Sequence, residues 1–348
     1  MPGAGERAYA YAKACGIVGK SFVGKRIPAL ESADRLAALD RLVFPRGGRE
    51  LPERELLHDL EKRITGRAVS QIMSIVSSFS HPPEFLALLV RGWEYGDLKS
   101  SLNALVSGES SFKDWTDIGA LGTVNFAAFP DLPAMLKDTE FGFLLDKEMN
   151  LVRGGDAVAA QTALDKRYYL SLWRALKKLP KRDRVSSEKI LAEEISLRNA
   201  VWVLRLRTYY GMSGEDAAGH LMDIDPRDRR GGRSSSAANS LAADARAILD
   251  LPLDSRAPWA DWKRERFLNP ERPGDSWRAD PRYFQNAAGA YLYRLALRSF
   301  RLKPFSLDVV FCFIRLKQFE DDLLTSVAEG LGLGMSSQDV FALLEVEA

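Results

Sequence analysis

Apolar residues in this chain return every three or four positions in segment after segment, and short alternating runs are scarce. Leu36/Leu39/Leu42/Val43 and Leu56/Leu57/Leu60/Ile64 show the pattern. That is the period of an amphipathic helix and not of a strand. Hairpin pairs such as Asn-Gly are scarce too. Three long segments carry start and stop signals. Pro82-Pro83, Ser186-Ser187 and Pro304 with Ser306 come before them, and Gly108, Gly211 and Gly334 come after. The expectation is an all-α chain.

The same segments align with one another. With Asp97, Asn199 and Asp322 as a common origin, Leu98, Ala200 and Leu323 stand one residue later. Leu102, Leu204 and Val327 stand five later, and Leu89, Leu191 and Ile314 eight earlier, all on one helical stripe. The second and third copies share Gly-Met-Ser at an identical offset, at Gly211-Met212-Ser213 and Gly334-Met335-Ser336. Within them Glu194/Arg198 and Lys317/Asp321 have the spacing of i,i+4 ion pairs on an exposed helix. The repeat divides the chain into helical units at 1–115, 116–224 and 225–348. The third unit is lengthened by a Pro/Gly/Trp-rich insertion at about 225–281. Within it, Arg227 to Ser236 has nothing to bury and reads as a mobile loop, while Trp259, Trp262 and Trp277 read as anchors that pack its later part on the body.

Composition narrows the classes. The 348 residues suggest about two or three domains by length alone. The longest uninterrupted apolar runs, Phe85–Val90 and Val309–Ile314, fall far short of the roughly 20 residues of a membrane helix. The first residues lack the apolar core of a secretory leader. Cys15 and Cys312 are the only two cysteines, so no disulfide framework is expected and a reducing compartment is the natural setting. A net charge of +2 implies no polyanion partner globally, but Asp165–Arg184 holds eight basic residues against two acidic ones. Lys177, Lys178, Lys181 and Arg182 in that stretch are the candidate partner interface, set against the reading of a solvated helix face.

Catalytic constellations are sparse. Gly19-Lys20-Ser21 has the end of a phosphate loop, but Ala14 stands where its first glycine belongs and a helical pattern precedes it. The three histidines, His58, His81 and His220, lack metal-ligand spacing. Glu94, Asp97, Glu194, Asn199, Glu320 and Asp322 recur with the repeat. They read as structural signature residues lying in different units, not as groups converging on one cleft. No catalytic residue, cofactor or metal is assigned. The alternative is an all-helical scaffold that binds nucleic acid through the basic and aromatic stretch 227–266, where Lys263, Arg264 and Arg266 stand among tryptophans.

One family matches these residues in order. Phe85-Leu86-Ala87-Leu88-Leu89-Val90-Arg91-Gly92-Trp93-Glu94-Tyr95-Gly96-Asp97-Leu98-Lys99 resembles the "YEYxNLK" segment of the rotary V-type ATPase subunit called C in bacteria and archaea and d in eukaryotes. Glu193-Glu194-Ile195-Ser196-Leu197-Arg198-Asn199 resembles its "EIDLxN" helix, and Ala163-Leu164-Asp165-Lys166-Arg167-Tyr168-Tyr169 its "LDxxYY" segment. The opening Tyr9-Ala10-Tyr11-Ala12-Lys13-Ala14 fits the family's tyrosine-rich start. The chain departs at Asp97 and Asp322, where the family usually has asparagine, and in the degraded stretch Lys317–Leu323. The resemblance implies three similar units arranged pseudo-threefold into a funnel. It implies a non-catalytic central-stalk rotor subunit without cofactor or small-molecule substrate, on the cytoplasmic face of the membrane. Its partners would be central-shaft subunits of the D and F type and the proteolipid ring, with no nucleic acid.

Overall fold

The computed structural model describes residues 2–145, 157–227 and 240–344, which form helices, turns and loops with no strand among them. Most of the Arg227–Ser236 loop lies outside the described residues. The helices are α1 (Ala4–Val18), α2 (Leu36–Val43), α3 (Glu53–Val76), α4 (Glu84–Val106), α5 (Leu132–Met135) and α6 (Ala157–Lys178). They continue as α7 (Val185–Tyr210), α8 (Gly214–Gly219), α9 (Ala243–Arg246), α10 (Pro281–Phe300), α11 (Leu307–Gly332) and α12 (Ser337–Leu344). The six long helices form three hairpins, α3–α4, α6–α7 and α10–α11, each turning within a few residues.

The glycines that end the second helix of each hairpin adopt left-handed backbone conformations, with φ of 75° at Gly108, 62° at Gly211 and 78° at Gly334. A residue without Cβ takes that conformation without strain, which is why the stop signal in the sequence works. The shared Gly-Met-Ser has a matching job in both copies. After the glycine ends the long helix, the hydroxyl of Ser213 or Ser336 accepts the backbone N–H three residues on, at Asp216 or Asp339, each at 3.1 Å. That cap starts the short helices α8 and α12.

The hairpins pack in cyclic order: α4 lies on α6, α7 on α10, and α11 back on α3. The N-terminal halves of α4, α7 and α11 meet in one core. Phe85, Leu86 and Leu89 join Ile190, Leu191 and Ile195 and the run Val309–Ile314 there, with Phe85 and Phe311 stacked 5.6 Å apart. Further along, the three helices part. Leu197–Leu204 of α7 enter a second core with Phe284 of α10 and Trp259, Trp262 and Trp277. Leu323–Leu331 of α11 enter a third with Leu56, Leu60 and Ile64 of α3 and with α2 and α12. The tryptophans anchor the insertion as its sequence suggested. Gly330 lets α12 settle on α11, since a methyl group there would collide with Val340.

Helix α1 closes the converging end. Glu6 accepts the N–H (2.7 Å) and hydroxyl (2.6 Å) of Ser80 in the first hairpin turn, which holds its carboxyl down to about 2. Arg7 pairs with the buried Asp183 in the second turn, and Tyr11 meets Phe305 of the third edge to face. Asp308, fully buried, accepts the N–H groups of Ser186 (3.1 Å) and Ser187 (2.9 Å) and so ties the start of α11 to the start of α7. A carboxylate at a helix N-terminus is favoured by the dipole and by the unpaired amides there.

Because the common core depends on large side chains with no room to relax, Phe311→Ala should destabilise the protein by about 3–5 kcal/mol. Chemical denaturation followed by circular dichroism checks this; a loss below about 1 kcal/mol would mean the shared core does not hold the three helices together.

Candidate functional site

Where α4, α7 and α11 part, they leave a cavity of about 940 Å³ lined by all six long helices. Its walls mix apolar side chains such as Trp93, Trp202 and Phe319 with polar and charged ones. On one side Lys99 pairs with Asp165, and the Tyr169 hydroxyl donates to Glu194 at 2.8 Å. Glu194 also pairs with Arg315 of α11 at 2.7 Å. Arg198 lies over the Tyr169 ring, 5.1 Å from its centroid. Along α11, Asp321 accepts the Thr65 hydroxyl at 2.9 Å, while Asp322 and Glu329 line the cavity with no ion pair or hydrogen bond among the described residues.

Enclosure shifts these carboxyls. Burial pushes Asp97 up to about 6, opposed by the Thr116 N–H it accepts at 2.7 Å. Asp321 is likewise pushed up to about 6 by burial, opposed by Thr65. Asp322 reaches cavity water, yet the ring encloses it, and that enclosure with Asp321 beside it pushes it up to about 7.

The structure sorts the six signature residues into two sets. Glu94, Asn199 and Glu320 are buried, and each fastens a loop by its backbone. Glu94 accepts the N–H groups of Thr123 and Val124. Asn199 accepts the Met222 N–H at 2.8 Å and donates to the Met222 carbonyl at 3.1 Å. Glu320 accepts the Phe22 N–H at 2.8 Å and pairs with Lys317 and Arg67. Asp97, Glu194 and Asp322 instead line the one cavity. The expectation that the acidic residues stay apart in separate units is therefore corrected for these three, because cyclic packing brings the middles of all three helices around a common space.

A second correction concerns the i,i+4 pairs. Glu194 turns to Arg315 and Tyr169 instead of Arg198, and Lys317 turns to Glu320 instead of Asp321. For Glu194, tertiary partners in a low-dielectric setting outcompete a surface pair worth a few tenths of a kcal/mol, while Lys317 takes its i+3 neighbour Glu320, which the Phe22 N–H and Arg67 also hold. Sequence reading missed Arg198, Trp202 and Arg205 as a cavity stripe. Their i, i+4, i+7 spacing was visible, but on a lone helix it reads as a solvated face.

Of the candidate interface residues, Lys177 is engaged by Glu188 and Lys178 by Glu84 at 2.6 Å. Lys181 is exposed with no ion pair among the described residues, and Arg182 makes a loose 3.7 Å contact with Asp183. The stretch offered for nucleic acid is spent internally in its described part. Arg264 is buried against Glu193 and Asp244, Arg266 covers Phe267 and Tyr291, and the tryptophans are core. Ser21 of the phosphate-loop-like run follows a helix and bonds the Ile17 carbonyl and Lys317, so no phosphate cradle forms there. Among the described residues no cluster of three or more His, Cys, Asp or Glu is arranged to hold a metal. No described helix is long and apolar enough to cross a membrane.

What the fold and site define is an all-helical body built around a cavity with charged side chains in its wall. The chain belongs to the ATP synthase (C/AC39) subunit family of V-type machines, whose sequence model matches residues 49–340. A protein of Treponema pallidum (strain Nichols), described as an uncharacterized protein, is 25% identical over 329 residues, covering 94% of this chain and 92% of that protein.

The raised carboxyls fix the sign of a pH effect. A carboxyl whose folded pKa exceeds its unfolded value favours the folded state below the unfolded pKa, and that contribution is lost as pH rises through the folded pKa. Asp322→Asn should therefore raise Tm at pH 8 by up to about 2 °C and flatten the fall in stability between about pH 4 and 7. Thermal melts across that range check it. An unchanged pH profile would mean Asp322 is as solvated in the cavity as in the unfolded chain.

Proposed function

We propose that this chain is a non-catalytic rotor subunit of a V-type ATPase or ATP synthase, held on the cytoplasmic face of the membrane between a central shaft and a proteolipid ring. The observation that carries the reading is a cavity of about 940 Å³ enclosed by all three hairpins, in a chain of this family. On this reading the units 1–115, 116–224 and 225–348 form a pseudo-threefold funnel. The cyclic contacts, the common core at one end and the separate cores at the other support it. The mouth takes the foot of the shaft, formed by subunits of the D and F type, and the closed end faces the ring.

Torque transfer suits this body. Close-packed helices transmit strain instead of absorbing it, and the ties between α1 and all three hairpin turns keep the narrow end from splaying. The closed end also carries exposed side chains suited to a partner. Leu302 is 64% and Phe305 53% exposed, with Arg301 and Lys303 in the same turn and Lys181 and Arg182 in the neighbouring one. Phe305 holds a φ of 66°, a conformation that costs a bulky residue energy, and it keeps its ring at the tip.

Purification of the tagged chain from membranes in mild detergent should bring down shaft subunits and the small proteolipid. Recovery of neither would overturn the reading. In the same assay the double reversal Lys181→Glu/Arg182→Glu should lower recovery of the proteolipid severalfold, because these two cations have no strong internal partner. Lys178→Glu, whose cation is engaged by Glu84, should lower it less. Equal recovery from all variants would exclude the 181–182 turn from the ring-facing surface.

A further inference from the structure

The cavity walls are not alike, and the difference follows the helices. Arg198, Trp202 and Arg205 stand at i, i+4 and i+7 on α7, all lining the cavity. Asp322, Ser326 and Glu329 stand at the same spacing on α11 and line it too. Over these positions one stripe is basic and aromatic and the other acidic, while Glu194 and Arg315 on the same two helices pair with each other. Arg198 lies on the face of Tyr169 with Asp165 and Glu194 close by, and among the described residues Arg205, Asp322 and Glu329 make no ion pair or hydrogen bond. Between the stripes the α10 wall is neutral, with Gln285, Asn286 and Gly289. On the α4 wall the one carboxylate, Asp97, is taken by the Thr116 N–H.

Charges without an ion pair of their own do little for the fold. Enclosed charges keep full solvation only while the space stays wet, and a body entering the cavity must replace that water with groups of opposite sign. A helical foot that enters with its own charges wrongly turned meets like charge on two walls at once. Such mismatches cost several kcal/mol, and they discriminate between orientations more than they add affinity.

We propose that the cavity seats its partner in one rotational register, with a basic face of the inserted helical end against the Asp322–Glu329 stripe and an acidic face against the Arg198–Arg205 stripe. The proposal rests on the reading of the cavity as the shaft socket. It adds what a threefold-repeated body lacks by itself: a way to tell one of three similar orientations from the others, so that torque is not lost by slipping a third of a turn. Trp202 supplies an apolar anchor in the middle of the cationic stripe, the kind of large amphipathic side chain that dominates interface cores.

The test uses the full chain with its shaft subunits. A photo-crosslinking amino acid replaces Gly96, Trp202 or Ser326, one at a time, and labelled shaft residues are mapped by mass spectrometry. The expected result is three separate faces of the shaft, with a basic segment labelled from position 326 and an acidic one from position 202. Labelling of the same shaft residues from all three positions, while the shaft still binds, overturns the register and leaves the socket standing. Absence of shaft binding overturns both. As a second measurement, the near-isosteric pair Asp322→Asn/Glu329→Gln should weaken shaft binding about tenfold and reduce its salt dependence, with the melting temperature not lowered. Unchanged affinity would also overturn the proposal.

Discussion

Phe85 and Phe311 stack near the starts of α4 and α11, and Ile190, Leu191 and Ile195 of α7 join them in the same core. This shared contact is the constraint on which the remaining architecture depends. Helices pack at axis separations of about 8–10 Å, so three of them can share one apolar centre only over a limited length. Beyond it each must find another partner, and the partner is the first helix of the next hairpin in the cycle. The cavity is the space this divergence leaves.

Closure of the cycle joins the two ends of the chain. The last long helix packs on α3, and Leu323–Leu331 enter a core made largely of residues 22–64. Burying polar groups at these junctions is tolerated because each is fully engaged. Glu320 meets the Phe22 amide, Lys317 and Arg67, and Asn199 uses both ends of its amide on Met222. The insertion follows the same rule. Arg264 reaches the buried face of α7 only with Glu193 and Asp244 to receive it, and Trp259 and Trp262 donate to the carbonyls of Pro252 and Asp244 at 2.8 Å.

The cavity wall carries charged side chains among apolar ones, and an enclosed charge keeps its solvation only where water or an opposite charge reaches it. The balance between free and engaged charges differs between the two ends of the body. At the closed end the acids are largely taken up internally, by Arg7, by Lys177 and Lys178, and by backbone amides, while several cations remain exposed. In the cavity Lys99 with Asp165 and Glu194 with Arg315 are paired, while Arg205, Asp322 and Glu329 make no ion pair among the described residues.

The helices and their ends were legible in the sequence, because they depend on local rules. Apolar residues at three-to-four spacing place a buried stripe, a left-handed glycine ends a helix, and a serine with an acid three residues on begins one. The repeat was legible for the same reason, through Gly-Met-Ser and the shared stripe. Its functional content was not. Glu94 and Asp97 are three residues apart on one helix, yet one is sealed against the Thr123 amide and the other faces the cavity. Glu194 and Arg198 had the spacing of a pair, and Arg315, more than a hundred residues away, took the carboxylate instead. Sequence spacing fixes where a side chain lies around its own helix axis. Only packing decides what stands opposite, so the elements of this protein follow from its sequence, whereas the cavity and the division of its repeated acids between fastening loops and lining that cavity exist only once the cycle of hairpins has closed.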